Sequence, residues 1–228
     1  MSKYFNILFC LLLVTSCSGN KKEKTLYEER KSEMFSGLIS QLEYEPTNID
    51  TLYTEMYIAL KVCEEDIAAY KIVEDRVNLL LEYDTIKENQ RHYLEALSIV
   101  YSMKKDFEKF ESTTLRMYDT YPAESFQRMS SYAMFYLQFT ENVDSANYYY
   151  NKAMLVGENI LKSENSKLRG ETCLAISSMM IANNKKNEAK EFLKMQLEKE
   201  TDGDNIQLLS EVINAFDAYA KEVLNSTK

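Results

Sequence analysis

Residues 91–122 read RHYLEALSIVYSMKKDFEKFESTTLRMYDTYP, and their spacing decides the fold. Leu94, Leu97, Ser98 and Tyr101 recur at three- and four-residue intervals, and Phe110, Thr114 and Met117 do the same after a polar break. Such spacing puts one face of an α-helix on a core, so the stretch predicts two helices, Glu88–Met103 and Phe107–Tyr121, joined by a short turn. Working outward, the same pattern gives helical blocks over Leu26–Leu42, Asp50–Cys63, Asp66–Tyr83, Ala123–Phe139, Asp144–Lys162, Ser166–Asn183, Asn187–Lys199 and Asn205–Leu224. Pro46 ends the first block, because proline cannot continue the hydrogen-bond ladder. Asp144 is placed to cap its block, and Asp204 with Gln207 has capping-box spacing.

Composition agrees. The 228 residues hold only 5 Gly and 2 Pro, too few for the regularly spaced turns of a sandwich or barrel. At 45% hydrophobic and 28% charged the chain can fill a core, and its 4 Cys do not make a disulfide-built mini-domain. The expectation is an all-α stack of ten antiparallel helices. Gly37 and Gly157 fall inside helical blocks and are read as close helix contacts.

The blocks repeat. Met129, Tyr132, Ala133 and Tyr136 are followed by Ala146, Tyr150 and Ala153; Cys173, Ile176, Ser177 and Met180 are followed by Ala189, Leu193 and Gln196. With the Leu94 pair, this resembles the tetratricopeptide repeat, whose small residues let paired helices approach while aromatics fill the gap to the next unit. The resemblance is close over Arg91–Glu200 and looser over Asp50–Tyr83. Phe110, Thr114 and Gln196 depart from the pattern, and first-helix intervals of 35 (Leu94 to Met129) and 44 residues (Met129 to Cys173) are uneven. The resemblance implies an α-α solenoid, an irregular superhelix of antiparallel helix pairs. Its concave wall would comprise His92, Glu95, Ile99, Ser102 and Met103, then Ser130, Met134, Leu137 and Gln138, a mixed groove suited to an extended or helical peptide.

At the N-terminus, Lys3 precedes an apolar run, Tyr4–Val14, interrupted only by Asn6 and followed by Thr15-Ser16-Cys17. The run is too short for a bilayer core of roughly 30 Å and has the plan of an export signal. Leu13–Cys17 resembles the lipobox of bacterial lipoproteins, which implies cleavage before Cys17, acylation of that cysteine and membrane attachment through its acyl chains. The expected organisation is a signal peptide over 1–16, an acylated Cys17 with a polar tether over 17–24, and one repeat domain over 25–228. By the sorting rule of Gram-negative lipoproteins, Ser18 in place of Asp favours the outer membrane. The net basic Lys21–Lys24 lacks the acidic stretch that goes with surface display in Bacteroidota lipoproteins, which favours the periplasmic face.

Candidate chemistry is sparse. A net charge of −9 is the wrong sign for nucleic acid, and no nucleic-acid partner is expected. His92 is the sole histidine, and no Gly-rich phosphate loop, nucleophile elbow or His-Glu-x-x-His motif occurs. No enzyme activity, metal or cofactor is expected. Asp202-Gly203-Asp204 reads as a turn with a helix cap, and Cys63 and Cys173 read more readily as core thiols than as a disulfide. Tyr148-Tyr149-Tyr150 puts aromatics on three sides of one helix, so at least one is half exposed, either as filler between repeats or as an interface.

These features together read as a lipid-anchored, non-catalytic scaffold for an envelope protein or peptide. A ligand- or carbohydrate-uptake accessory and the sensory module of an envelope regulator remain alternatives. Asp50-Thr51-Leu52, Asp84-Thr85-Ile86 and Asp144-Ser145-Ala146 resemble the acceptor motif for O-glycosylation of exported Bacteroidota proteins at Thr51, Thr85 and Ser145, although Asp before Ser or Thr also starts helices. Intact-mass measurement of the native protein is expected to give the chain from Cys17 plus acyl groups; any further increment in sugar masses reports glycosylation, and an unacylated full-length mass refutes the lipobox.

Overall fold

A computed structural model describes residues 48–62, 67–163 and 168–225. The export signal, Cys17, the tether, the block over Leu26–Leu42, Gly37 and Cys63 lie outside the described residues, and so does any pairing of Cys63 with Cys173. Among the described residues the fold is all-helical, with ten helices: α1 (Ile49–Val62), α2 (Ile67–Tyr83), α3 (Lys87–Met103), α4 (Phe107–Tyr118), α5 (Phe126–Phe139), α6 (Val143–Lys162), α7 (Arg169–Ala182), α8 (Lys186–Leu197), α9 (Gly203–Asn214) and α10 (Phe216–Asn225). The chain divides after Thr120 into two compact units. In the first, α1 packs on α2 and α3 on α4; in the second, α5 packs on α6 and α7 on α8, with α9 and α10 added to α7.

Several predicted boundaries move. Asn142, not Asp144, caps α6 by accepting the Ser145 N–H, and Asp202, not Asp204, caps α9 by accepting from Asp204 and Asn205. In each case the helix begins earlier than the expected cap, so the predicted residue falls in the first turn, where its charge still favours the helix dipole. Ser125 caps α5, which therefore starts at Phe126 and not Ala123. The block read as one helix over Asn205–Leu224 is broken at Ala215 into α9 and α10.

The three best-matched helices bury the same register. Leu94, Leu97, Ser98 and Val100 on α3, Met129, Tyr132, Ala133 and Phe135 on α5, and Cys173, Ile176, Ser177 and Met179 on α7 are all buried. The turns repeat as well. Lys105 and Asn184 both sit at φ 57°. Around them, Asp106 N–H reaches back to Tyr101 C=O and Lys185 N–H to Met180 C=O, the same helix-ending hydrogen bond in each turn. The middle pair ends differently, with Thr140 extended, and places one more residue between Met129 and Ala146. That residue and the greater length of α6, 20 residues against 12 for α4 and α8, account for the 44-residue interval.

The departures in the first pair compensate each other. Phe110 is large where Ala146 and Ala189 stand, but Thr114 is small where Tyr150 and Leu193 stand, so total volume is kept. Thr114 then lies close enough to α3 for its hydroxyl to meet that of Ser98 at 2.7 Å, a buried pair that satisfies both groups.

Gly157 in α6 is a close contact, as its position implied: a Cβ there would stand 2.8 Å from Ile176 Cδ1 and from Phe126 Cε2. Gly170 is similar, since a Cβ on it would collide with Asn205 Oδ1. Gly157→Ala is expected to lower stability by about 1–3 kcal/mol in urea unfolding through overpacking. Adding Ile176→Val, which removes the clashing methyl, should recover part of that loss.

Candidate functional site

The residues predicted for the wall lie on two helices, one in each unit. On α3, His92, Ile99 and Ser102 are exposed and Glu95 and Met103 are half-buried. His92 Nδ1 lies 3.8 Å from Glu95 Oε2, and burial raises the Glu95 carboxyl pKa, with His92 opposing it. On α5, Ser130, Met134, Leu137 and Gln138 are all half-buried. Met134 packs against the apolar cluster that contains Phe216, Ala220 and Val223, and Gln138 Nε2 donates to Val223 C=O at 3.0 Å. The structure therefore corrects the expectation of an open wall on α5: α10 reaches it.

α10 was not legible as a separate element. Leu209, Val212, Phe216, Tyr219, Ala220 and Val223 continue one helical period, and Ala215 carries no turn chemistry. Its packing fixes it instead. Tyr219 Oη donates to Leu174 C=O at 2.9 Å and lies 2.8 and 2.7 Å from the hydroxyls of Ser177 and Ser178. Burial raises the Tyr219 phenol pKa, and the two serines oppose the shift. At the helix start Lys186 pairs with Asp217 at 2.7 Å, and Lys190 stands 5.4 Å over the Phe216 ring. α10 thus docks through an aromatic, a buried hydroxyl, a small residue and an aliphatic, at Phe216, Tyr219, Ala220 and Val223.

The tyrosine run divides as its helical spacing requires: Tyr148 is exposed, Tyr149 half-buried and Tyr150 buried. Tyr149 stacks on Tyr132 and Tyr136 with ring centroids 4.6 and 5.5 Å apart. Tyr148 and Tyr149, with Arg128, Lys152, Glu124, Met129 and Ala123, line a shallow concavity of about 190 Å³. Lys152 Nζ stands 5.9 Å from the Tyr148 ring centroid, so a cation and an aromatic face share this hollow.

The glycosylation-like residues differ in setting. Thr51 and Thr85 are exposed and Ser145 is half-buried. Asp84 beside Thr85 has a structural duty: it accepts from the Ile86 N–H at 2.9 Å, Asn89 Nδ2 at 2.8 Å and Tyr93 Oη at 2.8 Å. The Ile86 bond is the main cause of a carboxyl pKa lower than its ordinary 3.8, against the opposing effect of burial. Burial pushes the Cys173 thiol up to about 12, which leaves it protonated and unreactive at neutral pH. Glu200 is tied by Arg169 at 3.3 Å and by the Thr201 and Asp202 N–H groups, a second structural knot. Between α1 and α2, Arg76 Nε pairs with Glu55 at 2.6 Å in the core.

Among the described residues no group of three or more His, Cys, Asp or Glu is placed to hold a metal ion, and no helix is long and apolar enough to cross a membrane. Comparison with protein-family models, with curated proteins and with solved structures gives no match.

Asp84→Ala leaves three donors without their acceptor and is expected to cost about 2 kcal/mol at neutral pH by chemical denaturation. Because the folded carboxyl titrates below its ordinary value, its contribution is present at neutral pH and is lost as the pH falls through 3.8 and below. Asp84→Asn should accordingly lose less stability than the parent over that acid range.

Proposed function

We propose that the chain is a lipid-anchored envelope scaffold that binds a partner protein through the first helices of tetratricopeptide-like pairs. Acylation at Cys17 would hold it at a membrane, with the outer membrane and its periplasmic face favoured by Ser18 and Lys21–Lys24. The reading rests on one comparison between equivalent positions. Counted from Leu94, Met129 and Cys173, residues Ile99, Met134 and Ser178 share one register, and α10 packs over it on α7 and reaches α5. On α3 the same register is exposed, with Ile99 at 38% accessibility beside exposed His92 and Ser102. Among the described residues, the register that takes a helix in the second unit is exposed at Ile99 in the first, on a fold built from helix pairs. Nothing in this reading requires catalysis by the chain.

A second reading, a ligand-binding accessory, is favoured by the Tyr148–Tyr149 concavity with its two cations. It is the smaller site, at the lower end of what a single ring would fill.

Photo-crosslinking from position 102, exposed on the same helix, in native membranes is expected to give one discrete partner, and Ile99→Glu is expected to lose it with stability changed by no more than about 0.5 kcal/mol. Met134→Glu is unsuitable for this purpose, since Met134 packs in the core of the second unit. Capture that is unchanged by Ile99→Glu refutes the reading.

A further inference from the structure

α10 is a worked example of what the wall accepts, and the substitutions between the two units say how the occupant of the first unit must differ. In the second unit the hydroxyl of Tyr219 meets Leu174 C=O and the hydroxyls of Ser177 and Ser178. In the first, the positions in register with Leu174 and Ser178 are Glu95 and Ile99: a half-buried carboxylate and an exposed apolar side chain. In the second unit, Lys186 and Lys190 of α8 attract the acidic start of α10 through Asp217 and Phe216. Counted in the same register, α4 carries Phe107, 71% exposed, and Glu111. Two cations are therefore replaced by an aromatic and an acid, and a neutral position beside them by a carboxylate.

We propose that the α3 face formed by Glu95, Ile99 and Ser102, with Phe107 of α4, docks an amphipathic helix of a partner protein that repeats the aromatic–x2–hydroxyl or cation–small–x2–aliphatic order of α10 but is basic where α10 is acidic. The inference rests on the preceding reading and narrows the partner's chemistry. Its physical basis is complementarity. Ile99 and Phe107 supply the apolar platform that Met134 and its neighbours supply to α10. Glu95 and Glu111 favour a cationic side chain over an acidic one at their own positions, because a like charge set against the half-buried Glu95 carboxylate is penalised twice, by repulsion and by lost hydration, with His92, 3.8 Å from Glu95, Arg91, and Lys109, in register with Glu188, as the cations already on these helices. The same acids would disfavour, on the first unit, a helix with the acidic positions of α10 at Asp217 and Glu222.

The test uses the full chain with selectively labelled isoleucine methyls and three synthetic probes: the 214–225 sequence, the same peptide with Asp217→Lys and Glu222→Lys, and a scramble of the basic peptide. The basic peptide is expected to shift the Ile99 methyl resonance saturably, roughly tenfold tighter than the native sequence, and Glu95→Gln or Ile99→Glu is expected to weaken it by a similar factor. Equal binding of the scramble, a saturable shift at Ile206 of the second unit in place of Ile99, or no saturable shift overturns the inference. Failure here together with a discrete crosslinked partner at position 102 would reject the helix chemistry and leave the scaffold reading standing. Absence of that partner would reject the scaffold reading itself.

Discussion

Close approach of paired helices is the constraint on which the rest depends. Each helix here is amphipathic, so it is stable only while one face is buried on a neighbour, and how near the neighbour can come is set by the smallest side chains between them. In the first unit the limit is Ser98 against Thr114, near enough for a 2.7 Å hydroxyl contact. In the second it is Gly157, where a single added methyl would collide with Ile176 and Phe126. Small residues at these points let Phe135, Leu94, Ile176 and Leu193 fill the space on either side to full burial. A glycine in a helix costs about 1 kcal/mol of helix propensity, and at Gly157 that loss is offset by packing a side chain would forbid.

The turns follow from the same geometry. For two helices to lie side by side, the chain must reverse in two or three residues, and a left-handed residue at Lys105 or Asn184 does this while satisfying the last carbonyls of the helix. Neither position is glycine, which is how the chain makes these reversals with only 5 glycines. Asn is among the residues that tolerate this conformation best; Lys105 carries its strain without such help.

How far the sequence could be read depends on whether a feature leaves a periodic trace. Buried positions such as Leu94, Met129 and Cys173 recur at helical spacing and fixed both the helices and their pairing register. Caps were misplaced by two residues at α6 and α9 because Asn142 and Asp202 compete with nearby Asp144 and Asp204, which have the same chemistry. The break at Ala215 left no trace at all, since the apolar period runs through it. That break matters most for the candidate site: it frees α10 to pack on α7 and to reach Met134 and Gln138 of the expected groove. The exposed half, on α3, was legible because Ile99 and His92 lie off the apolar stripe of their helix.

The contrast between the α7 face, which α10 covers, and the exposed residues of α3 also bears on electrostatics. A chain of net charge −9 repels most acidic partners at long range, yet it seats its own acidic helix start on Lys186 and Lys190, so local charge outweighs the overall sign at short distance. On α3 the charges balance, Lys87 and Arg91 against Glu88 and Glu95, so any preference there is set by single side chains. A basic helix approaching the first unit would be drawn by the whole chain and then meet Glu95, whose carboxyl pKa burial raises while His92 and Arg91 oppose the shift. The difference follows from placing a carboxylate where the second unit needs only a backbone carbonyl and two serines.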